Sequence, residues 1–253
     1  MSILVFDIES VPDFESGRKV HNLSHDLSDK DVVKAMQHLQ FQKTGSEFMP
    51  LHLQRIVAIS VVFEKGDQLK VWSLGDADAT EKEIIQRFYE GVEQHIPTLV
   101  SWNGNGFDIP VLNYRALLHG IQAPTYWETG DDNTSFRYNN YISRYHSRHT
   151  DLMDVLANYQ PRGGAKLDEI ATMLGYPGKY GMSGADVWDK YQQGAIDEIR
   201  HYCETDVLNT YLVYLHFELI RGRSSPELLT QKVTRVKNMP VSYTHLTLPT
   251  IVR

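Results

Sequence analysis

The sequence predicts an α/β protein in which helices cover a central sheet, and three features carry that reading. The chain opens at 2–10 with an apolar run, Ile3, Leu4, Val5, Phe6 and Ile8, dense enough for a strand buried on both faces. A second β-rich run at 56–63 is followed by the Gly66-Asp67 turn and a partner run at 69–74, the pattern of a hairpin. Stretches with helical spacing then alternate with one more short apolar strand at 98–102.

The first strand ends in two acids. Side chains alternate along a strand, so Asp7 and Glu9 project from one face beside each other. Carboxylates crowded at the end of a buried strand repel and lose hydration, and a divalent cation is the simplest compensation. The other reading is a strand that simply ends in solvated loop acids; Asp7-Ile8-Glu9 alone does not choose.

After Ser10, Val11-Pro12 is expected to turn the chain away from the strand. Residues 27–43 read as a helix with Ser28 as N-cap and Asp29 and Asp31 in the first turn. The stretch 45–54 contains Pro50 and no period, as a returning loop would. Thr80 caps a helix to about Gln94, with Glu81 and Glu83 at the positive end of its dipole. The strand at 98–102 runs into Asn103-Gly104-Asn105-Gly106-Phe107-Asp108-Ile109-Pro110. Strand, glycine turn and a helix to about His119 expose a loop at the carboxyl end of a sheet strand. Asp108 has two readings there, helix cap or site carboxylate. The glycines are not a P-loop, because no Gly-Lys-Ser/Thr follows.

Residues 120–148 form a polar excursion rich in aromatics, Tyr126, Trp127, Phe136, Tyr138, Tyr141 and Tyr145, interleaved with Arg137, Arg144 and Arg148. Such a stretch stacks bases and holds phosphates of a single strand, which makes Arg137 and Arg144 substrate-binding candidates, or it packs onto its own domain. Residues 149–152 resume the core, and Asp151 and Asp154 are further carboxylates within reach of a metal site. Helices are expected at 167–174 and 184–191, separated by the Gly/Pro-rich 175–181. In the long helix at 196–219, Ile199, Cys203, Asp206, Thr210, Val213 and Phe217 mark one face. A lone carboxylate is costly in that stripe. Tyr202 lies one turn before Asp206 on the same face, whereas Glu204 points elsewhere, towards solvent.

With 253 residues, 42% hydrophobic and 23% charged, the chain suits one large domain. No run approaches the roughly 20 apolar residues of a membrane span. The strand starting at Ser2 leaves no room for a signal segment, and a single cysteine, Cys203, fits a reducing compartment; the expected location is cytoplasmic. A net charge of −7 excludes nucleic-acid binding through a broad basic surface, so any such binding is local, through metal ions, a few Arg or Lys side chains and stacking. No Cys/His cluster or His-Glu-x-x-His pattern points to zinc. Val241-Ser242-Tyr243-Thr244-His245 and the residues after it, 241–253, read as a translated sequencing adapter, which sets this tail aside from fold reasoning.

Asp7, Glu9, Asp108 and Asp206 with Tyr202 form the donor set of a two-metal phosphodiesterase, in which cations about 3.5–4 Å apart activate water and stabilise the leaving oxygen. Hard ions such as Mg²⁺ prefer these carboxylate oxygens. Asp7-Ile8-Glu9, Asn103-x-x-x-Phe107-Asp108 and Tyr202-x-x-x-Asp206 resemble, in order, the three motifs of the DEDD superfamily of 3′–5′ exonucleases, tyrosine subclass. The chain is most similar to the predicted 3′–5′ exonucleases related to the proofreading domain of family-B DNA polymerases. That resemblance spans about residues 1–222, followed by a C-terminal extension at 223–240 and the tail.

The resemblance implies a ribonuclease H-like α/β fold, a mixed five-stranded β-sheet flanked by α-helices. It implies two divalent ions, Mg²⁺ or Mn²⁺, with Asp7 bridging them. Glu9 and Asp206 would complete the site of the ion that activates water, and Asp108 would support the second ion through water. Tyr202 would orient the attacking water, while Asn103 and Phe107 would shape the cleft near the terminal nucleotides. The partner would be the 3′ end of a single-stranded nucleic acid, with DNA favoured, and the products nucleoside 5′-monophosphates. No polymerase domain follows, so a free-standing nuclease is expected. Three alternatives stay open: a silent nucleic-acid-binding module on the same fold, a metal-dependent hydrolase of small nucleotides, and a structural protein whose acids are caps. The intact set of four acids argues against the first, and the third needs three coincidences.

Overall fold

Strand β1 (Ser2–Pro12) is the middle of the sheet. β2 (Gln54–Lys65) pairs antiparallel with one of its edges, and β3 (Gln68–Ser73) continues that side as the expected hairpin. β4 (Thr98–Ser101) pairs parallel with the other edge, and β5 (His149–Asp151) lies parallel beyond it, for an order of β3-β2-β1-β4-β5. This mixed five-stranded sheet flanked by helices is the ribonuclease H-like arrangement. The computed structural model describes residues 2–160, 162–178 and 181–239; the adapter-like tail, 241–253, lies outside them.

The chain does not turn away at Val11: β1 runs on to Pro12, and Asp13 then caps a short helix, α1 (Phe14–Val20), by accepting from the Ser16 N–H at 3.1 Å. Helix α1 escapes a periodicity reading because it is two turns long and carries Ser16 and Gly17, poor helix formers. Gly17 is needed for packing, since a Cβ there would lie 2.2 Å from Met36 Sδ on α2 (Asp29–Thr44). Helices α3 (Glu81–His95) and α4 (Asp108–His119) follow, then α5 (Pro124–Trp127), α6 (Leu152–Leu156), α7 (Leu167–Met173) and α8 (Val187–Gln192). The long α9 (Ile196–Ile220) and α10 (Pro226–Lys237) complete the described chain. Among the described residues no helix is long and apolar enough to cross a membrane.

Both faces of β1 are covered, as its composition predicts. Leu4, Phe6 and Ile8 pack with Ile85 and Phe88 of α3 and Leu112 of α4. On the opposite face Val5 packs with Val207 and Tyr211 of α9, and Val11 with Ile199 and Cys203. Each such side chain contributes about 1.5–3 kcal/mol relative to exposure. Between Val5 and Val11 this second face carries Asp7 and Glu9, so the acids occupy the middle of an otherwise apolar layer.

Tyr126, Phe136 and Tyr141 of the aromatic-rich excursion are buried in the α3/α4 core, and the Arg148 guanidinium lies 3.9 Å from the centre of the Phe136 ring. For this half of the segment, packing onto the domain is the observed role. Glu204 is also corrected: it is half-buried and accepts a hydrogen bond from Ser73 Oγ at 2.7 Å.

One buried ion cluster fixes α4 against the sheet. Arg115 donates to Glu81 through Nε and Nη2 at 2.7 and 2.5 Å, and through Nη1 to Asp13. Glu81 also accepts from the Ile56 N–H at 2.7 Å and pairs with His119 at 2.8 Å. The end of β1, the start of β2 and the N-terminus of α3 are thereby joined to the helix that begins at Asp108. Arg115→Ala would leave Asp13 and Glu81 buried without their counter-charge. A loss of about 3–5 kcal/mol in urea unfolding is expected; a loss below about 0.5 kcal/mol would show that the cluster does not hold the helix.

Candidate active site

Asp7 and Glu9 arise from the alternation of β1. The pairing with β2 shifts register between Glu9 and Ser10, a bulge of the kind that re-aims side chains beside active sites. Glu9 is 8% exposed, while Asp7 is partly open to solvent.

Asp108 is not a helix cap. It is the first residue of α4, the cap position belongs to Phe107, and no side-chain capping bond is formed there. The Asp108 Oδ1 instead accepts from the Ile8 N–H at 3.1 Å, between the two acids of β1. The loop before it explains the glycines. A Cβ on Gly104 would sit 2.1 Å from Ser101 Oγ, and one on Gly106 would sit 2.4 Å from Asn103 Oδ1. Asn103 itself is left-handed at φ 63°, a conformation asparagine tolerates. Asp151 holds this loop, accepting from the N–H groups of Asn103 and Asn105 at 2.9 Å each, while it caps α6. Asp154 accepts from Asn105 Nδ2 and from Arg144. Both acids are thus engaged in positioning the loop.

Tyr202 and Asp206 lie one turn apart on α9, 7% and 8% exposed, and the phenol hydrogen-bonds the carboxylate. Asp7, Asp108 and Asp206, from three different elements, open onto one cleft of about 410 Å³ whose wall includes Asn103 and Phe107. Glu9 and Tyr202 are buried beside this cleft rather than lining it. Arg137 is exposed, and neither it nor Arg144 lines the cleft. Trp102, Lys166 and Asp168 also line the cleft, and no motif in the sequence singles them out. Trp102 Nε1 donates to the Ala165 carbonyl at 3.3 Å and so holds the segment that brings exposed Lys166 to the cleft. The Gly163-Gly164 pair ahead of Lys166 was the available signal, a loop aimed at the sheet's carboxyl edge.

The electrostatics follow from burial. Burial above all, then the charges of Asp108, Glu9 and Asp206, raises the Asp7 carboxyl well above the ordinary range. Burial lifts Asp108 to about 7, although its own N–H and that of Ile8 stabilise the anion. Burial and the charges of Asp206 and Glu9 raise the Tyr202 phenol, which therefore stays a neutral donor. Burial, then the charges of Asp7 and Glu9, raise the Cys203 thiol. That thiol lies 3.3 Å from the Asp7 carbonyl oxygen and 3.5 Å from its Oδ2.

One ligand atom each from Asp7, Glu9 and Cys203 lies within 4.8 Å of the others, close enough to share a cation. A protonated thiol donates rather than ligates, which leaves an oxygen donor set suited to a hard divalent ion. These residues fit such a cation, because a positive charge offsets the lost hydration that holds protons on Asp7 and Asp108 and the like charge that adds to it at Asp7.

Fold and cluster together define a ribonuclease H-like α/β protein with an acidic centre at the carboxyl ends of its parallel strands. The chain belongs to the family described as predicted 3′–5′ exonucleases related to the exonuclease domain of PolB, whose model matches residues 46–246. Asp108, Tyr202 and Asp206 fall inside the matched range and Asp7 and Glu9 precede it; the match also enters the first residues of the adapter-like tail. Over 172 residues the chain is 25% identical to a DNA polymerase of Archaeoglobus fulgidus, covering 65% of this chain and 21% of that one. Escherichia coli exonuclease I aligns in a zinc-bound complex with single-stranded DNA at TM-score 0.40 and 13% identity, over 92% of this chain and 43% of that one. Its complex with a dT13 oligonucleotide aligns at TM-score 0.37 and 12% identity, over 92% and 42%. The chain therefore spans about a fifth of the polymerase and under half of the exonuclease.

The Asp108 shift has a testable sign. The unfolded carboxyl ionises near 3.8 and the folded one near 7. In metal-free protein the folded state therefore binds more protons between these values, and stability falls as pH rises. His149, pushed down to about 4 by burial, works the other way below its ordinary 6.5. Comparison with Asp108→Asn cancels that contribution. From pH 5 to pH 8 in chelator, the wild type should lose about 2–3 kcal/mol more than the variant. Mn²⁺ should raise the wild-type Tm more at pH 8 than at pH 5. Equal pH slopes in the two proteins would contradict the assignment.

Proposed function

We propose that the chain is a metal-dependent 3′–5′ exonuclease that hydrolyses phosphodiester bonds at the 3′ end of single-stranded nucleic acid, DNA in preference, and releases nucleoside 5′-monophosphates. The observation that carries this reading is the convergence of Asp7, Asp108 and Asp206 from β1, α4 and α9 onto one cleft beside Asn103 and Phe107. Asp7, Glu9, Asp108 and Asp206 would hold two Mg²⁺ or Mn²⁺ ions, which when bound supply an activated water and offset the negative charge of the phosphate.

The remaining work falls to the chain's own side chains. Tyr202, kept neutral and bonded to Asp206, is a hydroxyl donor beside the carboxylates and orients a water molecule rather than removing its proton. The Phe107 ring offers a stacking face to the terminal base, and the ring of exposed Phe48 lies 5.9 Å from it. The Asn103 amide provides both a donor and an acceptor for polar groups of the terminal nucleotide. Lys166 brings a positive charge to a cleft otherwise dominated by acids and attracts the phosphate.

A 5′-labelled single strand should shorten stepwise with Mg²⁺ or Mn²⁺ and stay intact in chelator; a strand that stays full length with both metals rules the reading out. Asp7→Asn and Asp206→Asn should each slow cleavage about a hundredfold or more. Tyr202→Phe should slow it about a hundredfold while the Mn²⁺-dependent rise in Tm is retained. A 3′-phosphate should block the reaction, whereas undiminished cleavage would indicate an endonuclease.

A further inference from the structure

The cleft of about 410 Å³ is at the small end of ligand pockets and accommodates the terminal residue of a strand rather than its length. If the nuclease reading above holds, on which this inference rests, the nucleotides on the 5′ side of the scissile bond lie on the surface beyond it. The acidic chain offers them no broad basic track. It offers instead a small aromatic cluster beside Met153, a residue of the cleft wall. The next residue, Asp154, accepts from Asn105 Nδ2 of the active-site loop at 2.9 Å and from Arg144 Nη2 at 2.8 Å. The Arg144 guanidinium lies 5.9 Å from the centre of the Tyr145 ring and 5.6 Å from that of Tyr159. The two rings stand 5.0 Å apart at 63°.

Two features separate this cluster from ordinary loop packing. Tyr126, Phe136 and Tyr141 from the same excursion are fully buried, but Tyr145 is 71% exposed. Tyr159 is presented by two successive non-glycine residues in the left-handed region, Asn158 at φ 50° and Tyr159 at φ 59°, a conformation that surrounding structure must enforce. We infer that Tyr145, Tyr159 and Arg144 form a stacking platform for bases of a single strand, on the 5′ side of the nucleotide held in the cleft. Every base has a π face, so such a platform is tolerant of sequence. Asp154 neutralises Arg144, so the guanidinium acts mainly as a flat stacking face, and binding at the platform depends little on salt.

The test uses the full chain and a 5′-fluorescein (dT)15 strand. Anisotropy in chelator reports binding without cleavage, and Mn²⁺ then allows kinetics on (dT)15 and on the dinucleotide (dT)2. The Tyr145→Ala/Tyr159→Ala double variant should weaken binding of (dT)15 about tenfold or more. Its KM for (dT)15 should rise in parallel, with kcat and (dT)2 hydrolysis unchanged, and Tyr145→Phe/Tyr159→Phe should bind as the wild type does. Tyr145→Ala alone, at an exposed ring, should weaken binding about fivefold and keeps the test decisive where the double variant does not fold. Binding within twofold of wild type in the Ala variants, or a parallel loss on (dT)2, overturns the platform. Wild type that binds (dT)15 without shortening it removes the nuclease reading and leaves the platform; wild type that does neither removes both.

Discussion

Carboxylates placed in the middle of an apolar layer set the terms for the rest of this structure. The face of β1 that meets α9 runs Val5, Asp7, Glu9, Val11, and the facing surface of α9 contributes Cys203 and Asp206 between Ile199 and Val207. Each acid loses hydration and meets like charge, so without a counter-ion protons are retained on Asp7 and Asp108. The layers cannot separate to relieve this, because valines, leucines and tyrosines on either side clamp strand to helix. The chain thus holds a strained charge arrangement with its own core.

The scaffold around those acids is devoted to position. Asp108 reaches the cluster because α4 begins immediately after a loop that only glycine at 104 and 106 can follow so closely. Asp151 ties that loop to β5 through two backbone N–H groups. At the other end of α4, Arg115 is buried with Glu81 and Asp13 and joins the helix to three further elements. A parallel pair of strands, β1 and β4, brings Asp7 and the Asn103 loop to the same edge, as expected where the strand order of an α/β sheet reverses. Cys203 places a weak donor 3.5 Å from Asp7 Oδ2, which stabilises the carboxylate without adding charge.

Much of this could be read from the residues. The double burial of β1, the hairpin and the long α9 follow from apolar runs, a turn pair and a stripe at helical spacing. The acids were legible because charge in such a stripe needs a reason, and the three motifs fix their order. Relations between distant side chains were not. Nothing near Asp108 in sequence reveals that its partner is the Ile8 N–H, so capping remained open until the geometry closed it. Glu204 reads as solvated in the sequence because Ser73, its partner, is 131 positions away. The aromatic excursion divided between core and surface, a choice that composition alone cannot make. Helix α1 and the contribution of Lys166 were missed, the first for its length and the second because a lysine on a loop carries no period.

The proposed cation site has Asp7 at its centre. A crystal structure grown with Mn²⁺, with anomalous scattering recorded to locate the ions, tests it most directly. Two anomalous peaks are expected in the cleft, with Asp7 oxygen atoms coordinated to both and Glu9, Asp108 and Asp206 completing or supporting them. Peaks that Asp7 does not touch, or a carboxylate cluster that stays protonated and empty in millimolar Mn²⁺ at pH 8, would contradict it.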